Sequence, residues 1–173
     1  MNYDSEIQMY PDISLWLKSF LSSKLPHALV EVRDTHNSPL NEYITRHGLQ
    51  EFFNSSLWQT YEINVDITAF IKSPKHQGLV FVECKIVPIS LAHLSQLLGY
   101  SRIALPLYSY LISSASIGNA LKALITRYDR TDVLEYYWAK GEQPRKMIIA
   151  EWDIESRSIN LNTVLPPGSS GEV

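Results

Sequence analysis

Three polar residues interrupt two otherwise apolar segments in the first half of the chain. Asp66 lies within EINVDITAF, Glu83 and Lys85 lie within LVFVECKIV, and sixteen residues separate Asp66 from Glu83. Side chains at positions i and i+2 of a strand point to the same face, so Glu83 and Lys85 project together and Cys84 projects to the opposite face. If the Asp66 strand pairs with this strand as a hairpin, two carboxylates and an ammonium group meet at one end of a sheet.

That set of side chains suits the hydrolysis of phosphodiester bonds. Two converging carboxylates repel each other unless a cation lies between them, and their hard oxygen ligands favour Mg²⁺ or Mn²⁺. Such a metal generates a nucleophile from water and stabilises the charge of the phosphoryl group. A lysine beside the metal orients the attacking water or helps to deprotonate it. The pattern predicts a magnesium or manganese site on Asp66 and Glu83, with Lys85 at the water.

The positions of apolar and turn-forming residues predict the elements that hold this site. Helices are predicted at 12–25, 39–47, 90–100 and 116–128. Strands are predicted at 28–33, 58–63, 65–71, 79–87 and 102–112, with a late hairpin of 133–138 and 147–154 around Gly141. Because the consecutive strands before Ser90 leave no room for crossover helices, the order predicts an α/β fold with one mixed sheet, not a doubly wound sheet.

A second motif lies on the helix that follows the Glu83 strand. His93, Gln96 and Tyr100 span about 60° of its circumference, and three leucines lie on the other side. Both E-x-K and Q-x-x-x-Y arise easily by chance in a chain of this composition. The argument therefore rests on their conjunction, in this order and on these elements.

These motifs resemble those of the PD-(D/E)XK, or restriction-endonuclease-like, nuclease superfamily. The resemblance rests on Val65 and Asp66, on the E-C-K triplet that begins at Glu83, and on QLLGY, which begins at Gln96. The glutamine–tyrosine helix is most similar to those of the RecB-type and archaeal resolvase-like branches. The family usually has a proline where this chain has Val65, and the single cysteine excludes the branch that carries an iron–sulfur cluster.

The resemblance implies a fold and a reaction. The fold is an α-β-β-β-α-β core with a central mixed sheet flanked by helices, here covering about residues 38–112. An N-terminal helix and strand and a C-terminal helix and β-hairpin extend it. The implied reaction is metal-dependent cleavage of DNA or, in some members, RNA. Asp66 and Glu83 then ligate Mg²⁺ or Mn²⁺, the backbone carbonyl of Cys84 completes the metal sphere, and Lys85 acts at the nucleophilic water.

Further residues follow from the same resemblance. Gln96 and Tyr100 are expected to support the site or the strand that is cut. Family members often carry a glutamate on the first core helix, and Glu42 is the candidate here because its helix precedes the three strands. Glu51 and Glu6 are the alternatives.

Candidate contacts to nucleic acid are fewer. Lys72 and Lys75, in the turn between two strands, and Arg102, after the second-motif helix, are candidates for binding phosphate, although a solvated turn also explains the lysines. Basic residues after position 126 alternate with acidic ones, so we interpret them as a solvated face. Base stacking on Trp138 stays an alternative to a core or interface role for that residue.

Composition limits the remaining function classes. The chain has 173 residues, 45% of them hydrophobic, which predicts one domain with its own core. We expect an accessory part at about 116–165 and a loose tail at 166–173. The net charge of −3 is unlike that of a basic nucleic-acid coat protein, so any polyanion must bind to a local surface.

Cellular context and assembly are expectations of the same kind. Arg102 is the only charged residue from Ile86 to Leu121, but prolines and serines interrupt this stretch, so no membrane span is expected. The polar, acidic start predicts no secretory signal, and we expect a cytoplasmic protein. A homodimer is plausible, with the hairpin around Gly141 as its contact. The competing interpretations are a non-catalytic nucleic-acid-binding or assembly module of the same fold, and a structural α/β protein whose motifs are coincidental.

Overall fold

A six-stranded mixed sheet forms the centre of the computed structural model, which describes residues 3–74 and 77–173. The helices are α1 (Tyr10–Lys24), α2 (Leu40–His47), α3 (Leu91–Ala104) and α4 (Asn119–Thr126). The strands are β1 (Leu29–Asp34), β2 (Ile67–Lys72), β3 (Gln77–Lys85), β4 (Tyr108–Ser113), β5 (Glu135–Tyr137), β6 (Arg145–Lys146), β7 (Ile148–Asp153) and β8 (Ser158–Ile159). Short 3-10 helices fill several of the connections.

The order of strands in the sheet is β1-β2-β3-β4-β7-β8. The pairs β1–β2, β2–β3 and β7–β8 are antiparallel, and β3–β4 and β4–β7 are parallel. Each parallel pair requires a crossover connection: α3 joins β3 to β4, and the segment that contains α4, β5 and β6 joins β4 to β7. The predicted α/β fold with a mixed central sheet is confirmed, but β5 and β6 form a separate two-stranded sheet where one sheet was expected.

Helices cover both faces of this sheet. The face formed by Ile67, Val80 and Cys84 packs against α1, and the face formed by Phe70 and Phe81 packs against α2, α3 and α4. The central strands are consequently almost continuously buried, and β2 and β3 are apolar runs for that reason. A polar side chain in these strands therefore needs a specific partner.

The prediction of a strand at 58–63 is wrong. Ser56–Thr60 is a 3-10 helix, with the Ser55 hydroxyl accepting a hydrogen bond at its start. Tyr61 and Ile63 are both buried, as the alternating pattern predicted. Their backbone carbonyls, however, accept hydrogen bonds from the first turn of α2: that of Tyr61 from the N–H of Asn41, and that of Ile63 from the N–H of Leu40. These carbonyls satisfy amide groups that have no partner within the helix, so the segment is extended without joining a sheet.

This correction moves the start of the antiparallel strands. They are β1, β2 and β3, so the helix that precedes them is α1, and the sheet begins at Leu29 instead of near residue 38. α2 lies in the connection between β1 and β2. The late hairpin also differs, because β5 pairs with β6 while β7 joins the main sheet beside β4.

The terminal segment is attached, in contrast to the loose tail that we expected. It contains a 3-10 helix at Ser169–Glu172. The Tyr110 hydroxyl donates to the Glu172 carbonyl at 2.6 Å, and the Lys24 ammonium donates to the Gly171 carbonyl. Within the described residues, no helix has both the length and the apolar character needed to cross a membrane.

Candidate functional site

Asp66 and Glu83 lie opposite each other where the β2–β3 pairing ends. The register pairs Ile67 with Val82, so one step further outward places Asp66 across from Glu83. Lys85 follows on the same face, two residues along β3. The structure brings these three side chains together, and Cys84, on the other face, packs against the α1 layer.

Both carboxylate oxygens of Asp66 are held. Oδ1 accepts a hydrogen bond from the Tyr10 hydroxyl at 2.7 Å, and Oδ2 accepts one from the backbone N–H of Cys84 at 2.8 Å. The Asp66 backbone is also fixed, since its carbonyl accepts from the N–H of Thr35 at 2.9 Å. Hydrogen bonds to an ionised carboxylate are short and strong, so they set the orientation of this side chain.

Glu83 is almost completely buried, with 3% of its surface exposed. Its Oε1 accepts from the Lys85 ammonium at 3.1 Å and from the Gln96 amide at 3.2 Å. Its Oε2 is buried and has no hydrogen-bond partner among the described residues. An unsatisfied oxygen on a buried carboxylate is costly and requires an explanation.

A third carboxylate reaches the cluster from the N-terminal segment. Lys85 is buried, and its ammonium lies 3.2 Å from Oε2 of Glu6 as well as 3.1 Å from Glu83. Glu6 opens the 3-10 helix that leads into α1. Three carboxylates therefore surround or adjoin a single ammonium group.

Burial and charge change the ionisation of this cluster. Burial, and after it the charge of Asp66, raise the pKa of Glu83, and the Lys85 ammonium opposes both effects, so that the pKa is about 7 overall. For Lys85, burial lowers the pKa, but the carboxylates of Glu83 and Asp66 outweigh burial and the pKa is raised overall. At neutral pH the lysine is charged, whereas Glu83 is close to its titration point.

Of the two residues on α3 that were predicted to support the site, one contacts it. Gln96 contacts Glu83, but Tyr100 packs against the core beneath α3. His93 accepts a hydrogen bond from the backbone N–H of Ser90 through Nδ1, which closes the cap of the helix. Burial and the nearby Lys85 ammonium lower the pKa of His93.

Glu42 does not join the cluster. Because α2 buries Leu40 and Ile44 against the sheet, Glu42 points outward, with 61% of its side chain exposed. It lines a separate open depression with residues that include Arg46, whose guanidinium lies 4.0 Å from the Glu42 carboxylate. Of the three acidic candidates, the one that reaches Lys85 is Glu6.

The candidate phosphate-binding residues lie in different places. The Lys72 ammonium pairs with Glu51 at 3.2 Å. Arg102 donates to the carbonyl of Glu135 at 3.3 Å, and its guanidinium lies over the ring of Trp138. Lys75 lies outside the described residues.

Sequence reasoning missed two residues near the site. Tyr10, which orients Asp66, is 56 positions away in the chain and belongs to no motif. The ring of His36 lies 5.3 Å from that of Tyr10, and its Nδ1 is 2.5 Å from Oδ1 of Asp34. The D-x-H spacing of Asp34 and His36 was the available signal.

The cluster is chemically suited to a hard divalent cation in two respects. Asp66 and Glu83 supply carboxylate oxygens, and Oε2 of Glu83 is unpartnered. In one respect the fit is incomplete. The described residues contain no group of three or more histidine, cysteine, aspartate or glutamate side chains placed to hold a metal ion.

Comparison with known proteins does not assign the chain to a family. No protein-family model matches the chain, and no curated protein or solved structure matches it at a significant level. The functional argument therefore depends on the geometry of this cluster.

Proposed function

We propose that the chain is a metal-dependent nuclease that hydrolyses phosphodiester bonds in DNA. The observation that carries this proposal is the buried carboxylate of Glu83, which faces Asp66 and leaves Oε2 without a partner among the described residues. Burying an ionised carboxylate without full compensation costs several kcal/mol. A cation at this oxygen removes that cost, and phosphodiester hydrolysis uses such a cation directly.

The residues divide the work by their contacts. Asp66 and Glu83 would hold Mg²⁺ or Mn²⁺, and the backbone carbonyl of Cys84, next to Glu83 in β3, would be the further oxygen. The bound ion supplies Lewis acidity toward water and the phosphoryl oxygens. Lys85 donates to the attacking water or to the phosphate, because its raised pKa keeps it charged at neutral pH. Gln96 holds Glu83 in place through its amide.

The order of elements supports the proposal. α1, β1, β2, β3, α3 and β4 follow one another with three antiparallel strands, a helix and a parallel fourth strand. This order is compatible with the α-β-β-β-α-β core that the resemblance to restriction-endonuclease-like nucleases implies, if α2 is an addition between β1 and β2. With this order of elements, Glu6, in the 3-10 helix before α1, becomes the candidate for the role that we had given to Glu42.

A cleavage assay with matched variants tests the proposal. Linear, circular, single-stranded and branched DNA are incubated with Mg²⁺ or Mn²⁺, and in parallel with EDTA. We expect metal-dependent cleavage by the wild type and by the control Glu42→Gln, and a loss of roughly 100-fold or more in Asp66→Asn and Lys85→Met. Cleavage that survives in Asp66→Asn, or that EDTA leaves unchanged, contradicts the assignment.

One observation favours a second candidate, a non-catalytic nucleic-acid-binding or assembly module. The Lys85 ammonium already lies between Glu6 and Glu83, where it offsets part of their charge. A retained fold with an internal ion pair needs no metal. Calorimetric titration with Mg²⁺ separates the two candidates, because only the nuclease requires binding that is lost in Asp66→Asn.

A further inference from the structure

An exposed tryptophan, Trp138, is held in a fixed orientation at the end of α3 that is remote from Gln96. The residue is 56% exposed. Its indole N–H donates to Oε2 of Glu135 at 2.8 Å, and the Arg102 guanidinium lies 5.8 Å from its ring centroid. A large aromatic side chain that is both exposed and held in place is pre-organised for stacking, since little side-chain entropy is lost on binding.

A second arginine–aromatic pair lies at the same end of α3. The Arg145 guanidinium is 4.5 Å from the ring centroid of Tyr137, and it donates to the carbonyls of Leu105 and Pro106, which follow α3. These bonds fix β6 against the end of α3. We name the surface formed by Arg102, Tyr137, Trp138, Arg145 and Lys146 the aromatic platform.

The charge of the aromatic platform identifies the kind of partner. Three of its members are cations. Glu135 pairs with Lys146 at 3.4 Å, and Asp132 also interacts electrostatically with Lys146. The cationic excess is local, since the whole chain carries a net charge of −3. Aromatic rings interleaved with arginines match the alternating bases and phosphates of a nucleic-acid strand.

We infer that the aromatic platform binds single-stranded DNA, with a base stacked on Trp138 and phosphates at Arg102 and Arg145. A single strand is required because a base within a duplex has no free face to offer. Arg102 follows Gln96 by six residues in α3, a distance of about 9 Å along the helix axis, so one strand can reach both the platform and the Glu83 cluster. The inference rests on the proposed function and specifies the form of its substrate.

The test measures binding in EDTA, where no metal-dependent cleavage occurs. A fluorescein-labelled thymidine oligonucleotide and a duplex of equal length are titrated with the full chain, and anisotropy is recorded. We expect the single strand to bind at least about tenfold more tightly than the duplex, and Trp138→Ala to lose about tenfold or more of that affinity. Trp138→Phe keeps most of the affinity, because it keeps an aromatic face.

Controls separate stacking from loss of structure. Leu161→Ala removes an equally exposed side chain elsewhere and is expected to bind like the wild type. Arg102→Gln is expected to weaken binding and to flatten its dependence on salt. Unchanged binding by Trp138→Ala, or equal binding of duplex and single strand, overturns the inference. It is also overturned if light scattering shows a wild-type dimer that Trp138→Ala converts to a monomer.

The two proposals fail in different ways. If Trp138→Ala abolishes binding of the single strand but the wild type cleaves nothing with Mg²⁺ or Mn²⁺, the nuclease is wrong and the platform stands. If the wild type cleaves single strands and Trp138→Ala does so with an unchanged KM, the platform is wrong and the nuclease stands.

Discussion

Replacing Glu83 with glutamine tests whether an uncompensated charge is buried in the cluster. Glutamine has nearly the same shape, and its side-chain oxygen can still accept from Lys85 and Gln96. What it removes is the negative charge that faces Asp66. If that charge is as costly as its surroundings imply, Glu83→Gln stabilises the protein at neutral pH even though it alters a candidate ligand.

The magnitude follows from the pKa of Glu83, which is raised from 4.5 to about 7. Between these values the folded chain holds a proton that the unfolded chain has released, so the free energy of unfolding falls as the pH rises through this window. Since one pKa unit corresponds to about 1.4 kcal/mol, the full shift destabilises the wild type by about 3 kcal/mol once Glu83 is ionised. Below the unfolded pKa the cost is absent.

Urea unfolding of wild type and Glu83→Gln, at intervals from pH 4 to pH 8 in EDTA, measures this cost. We expect the variant to match the wild type near pH 4 and to exceed it by about 3 kcal/mol near pH 8. Glu42→Gln is the control, because that side chain is exposed, and its difference from the wild type should stay flat. A variant that is less stable than the wild type at pH 8, or a difference that does not change with pH, refutes the reasoning.

The same comparison with Mg²⁺ connects stability to ligand binding. A ligand that binds only the folded state raises the free energy of unfolding by about 1.4 kcal/mol when its concentration is tenfold above the Kd. We expect Mg²⁺ to stabilise the wild type and to leave Glu83→Gln nearly unchanged, so that the advantage of the variant shrinks. Equal stabilisation of both proteins means that Glu83 is not a ligand.

Two further substitutions probe the supports of the fold and site. Tyr10→Phe removes the hydroxyl that donates to Asp66, and we expect urea unfolding to show a loss of about 1.5–3 kcal/mol, with Tyr128→Phe, at an exposed position, unchanged. Gly118→Ala places a methyl group 2.5 Å from the Ile89 carbonyl, so thermal unfolding should show a large fall in Tm, whereas Gly99→Ala, which meets nothing within 4 Å inside α3, should raise it.

Much of the fold was predictable because its signals are local. The apolar period of α1 and α2 gave their extents to within two residues, and Gly48, in the left-handed conformation at φ 69°, ends α2 as expected of glycine. The strand prediction for 58–63 was wrong because an alternating pattern indicates which side chains face inward but does not identify the hydrogen-bond partners of the backbone. Here those partners lie at the start of a helix.

The cluster, too, contains some residues that local rules predict and others that they do not. The period of a strand places Glu83 and Lys85 on one face, and the hairpin assumption places Asp66 opposite, so these three residues follow from local rules. Glu6 and Tyr10 reach the cluster from 79 and 56 residues away, and nothing in the intervening sequence marks those distances. Glu42 was preferred to Glu6 because the first strand of the antiparallel set was misassigned, which shifted the choice of helix.

The imbalance of charge in the cluster favours a functional role for it over a purely stabilising one. Glu6, Asp66 and Glu83 supply three carboxylates, and Lys85 supplies one ammonium group. An ion-pair network selected for stability alone gains by matching its charges, since an unpaired buried charge costs more than a pair returns. Here the mismatch persists, and it raises the pKa of Glu83 to about 7 despite direct contact with Lys85. One divalent cation makes the cluster neutral. The proposed nuclease binds such a cation, whereas the metal-free module leaves the cluster with excess negative charge.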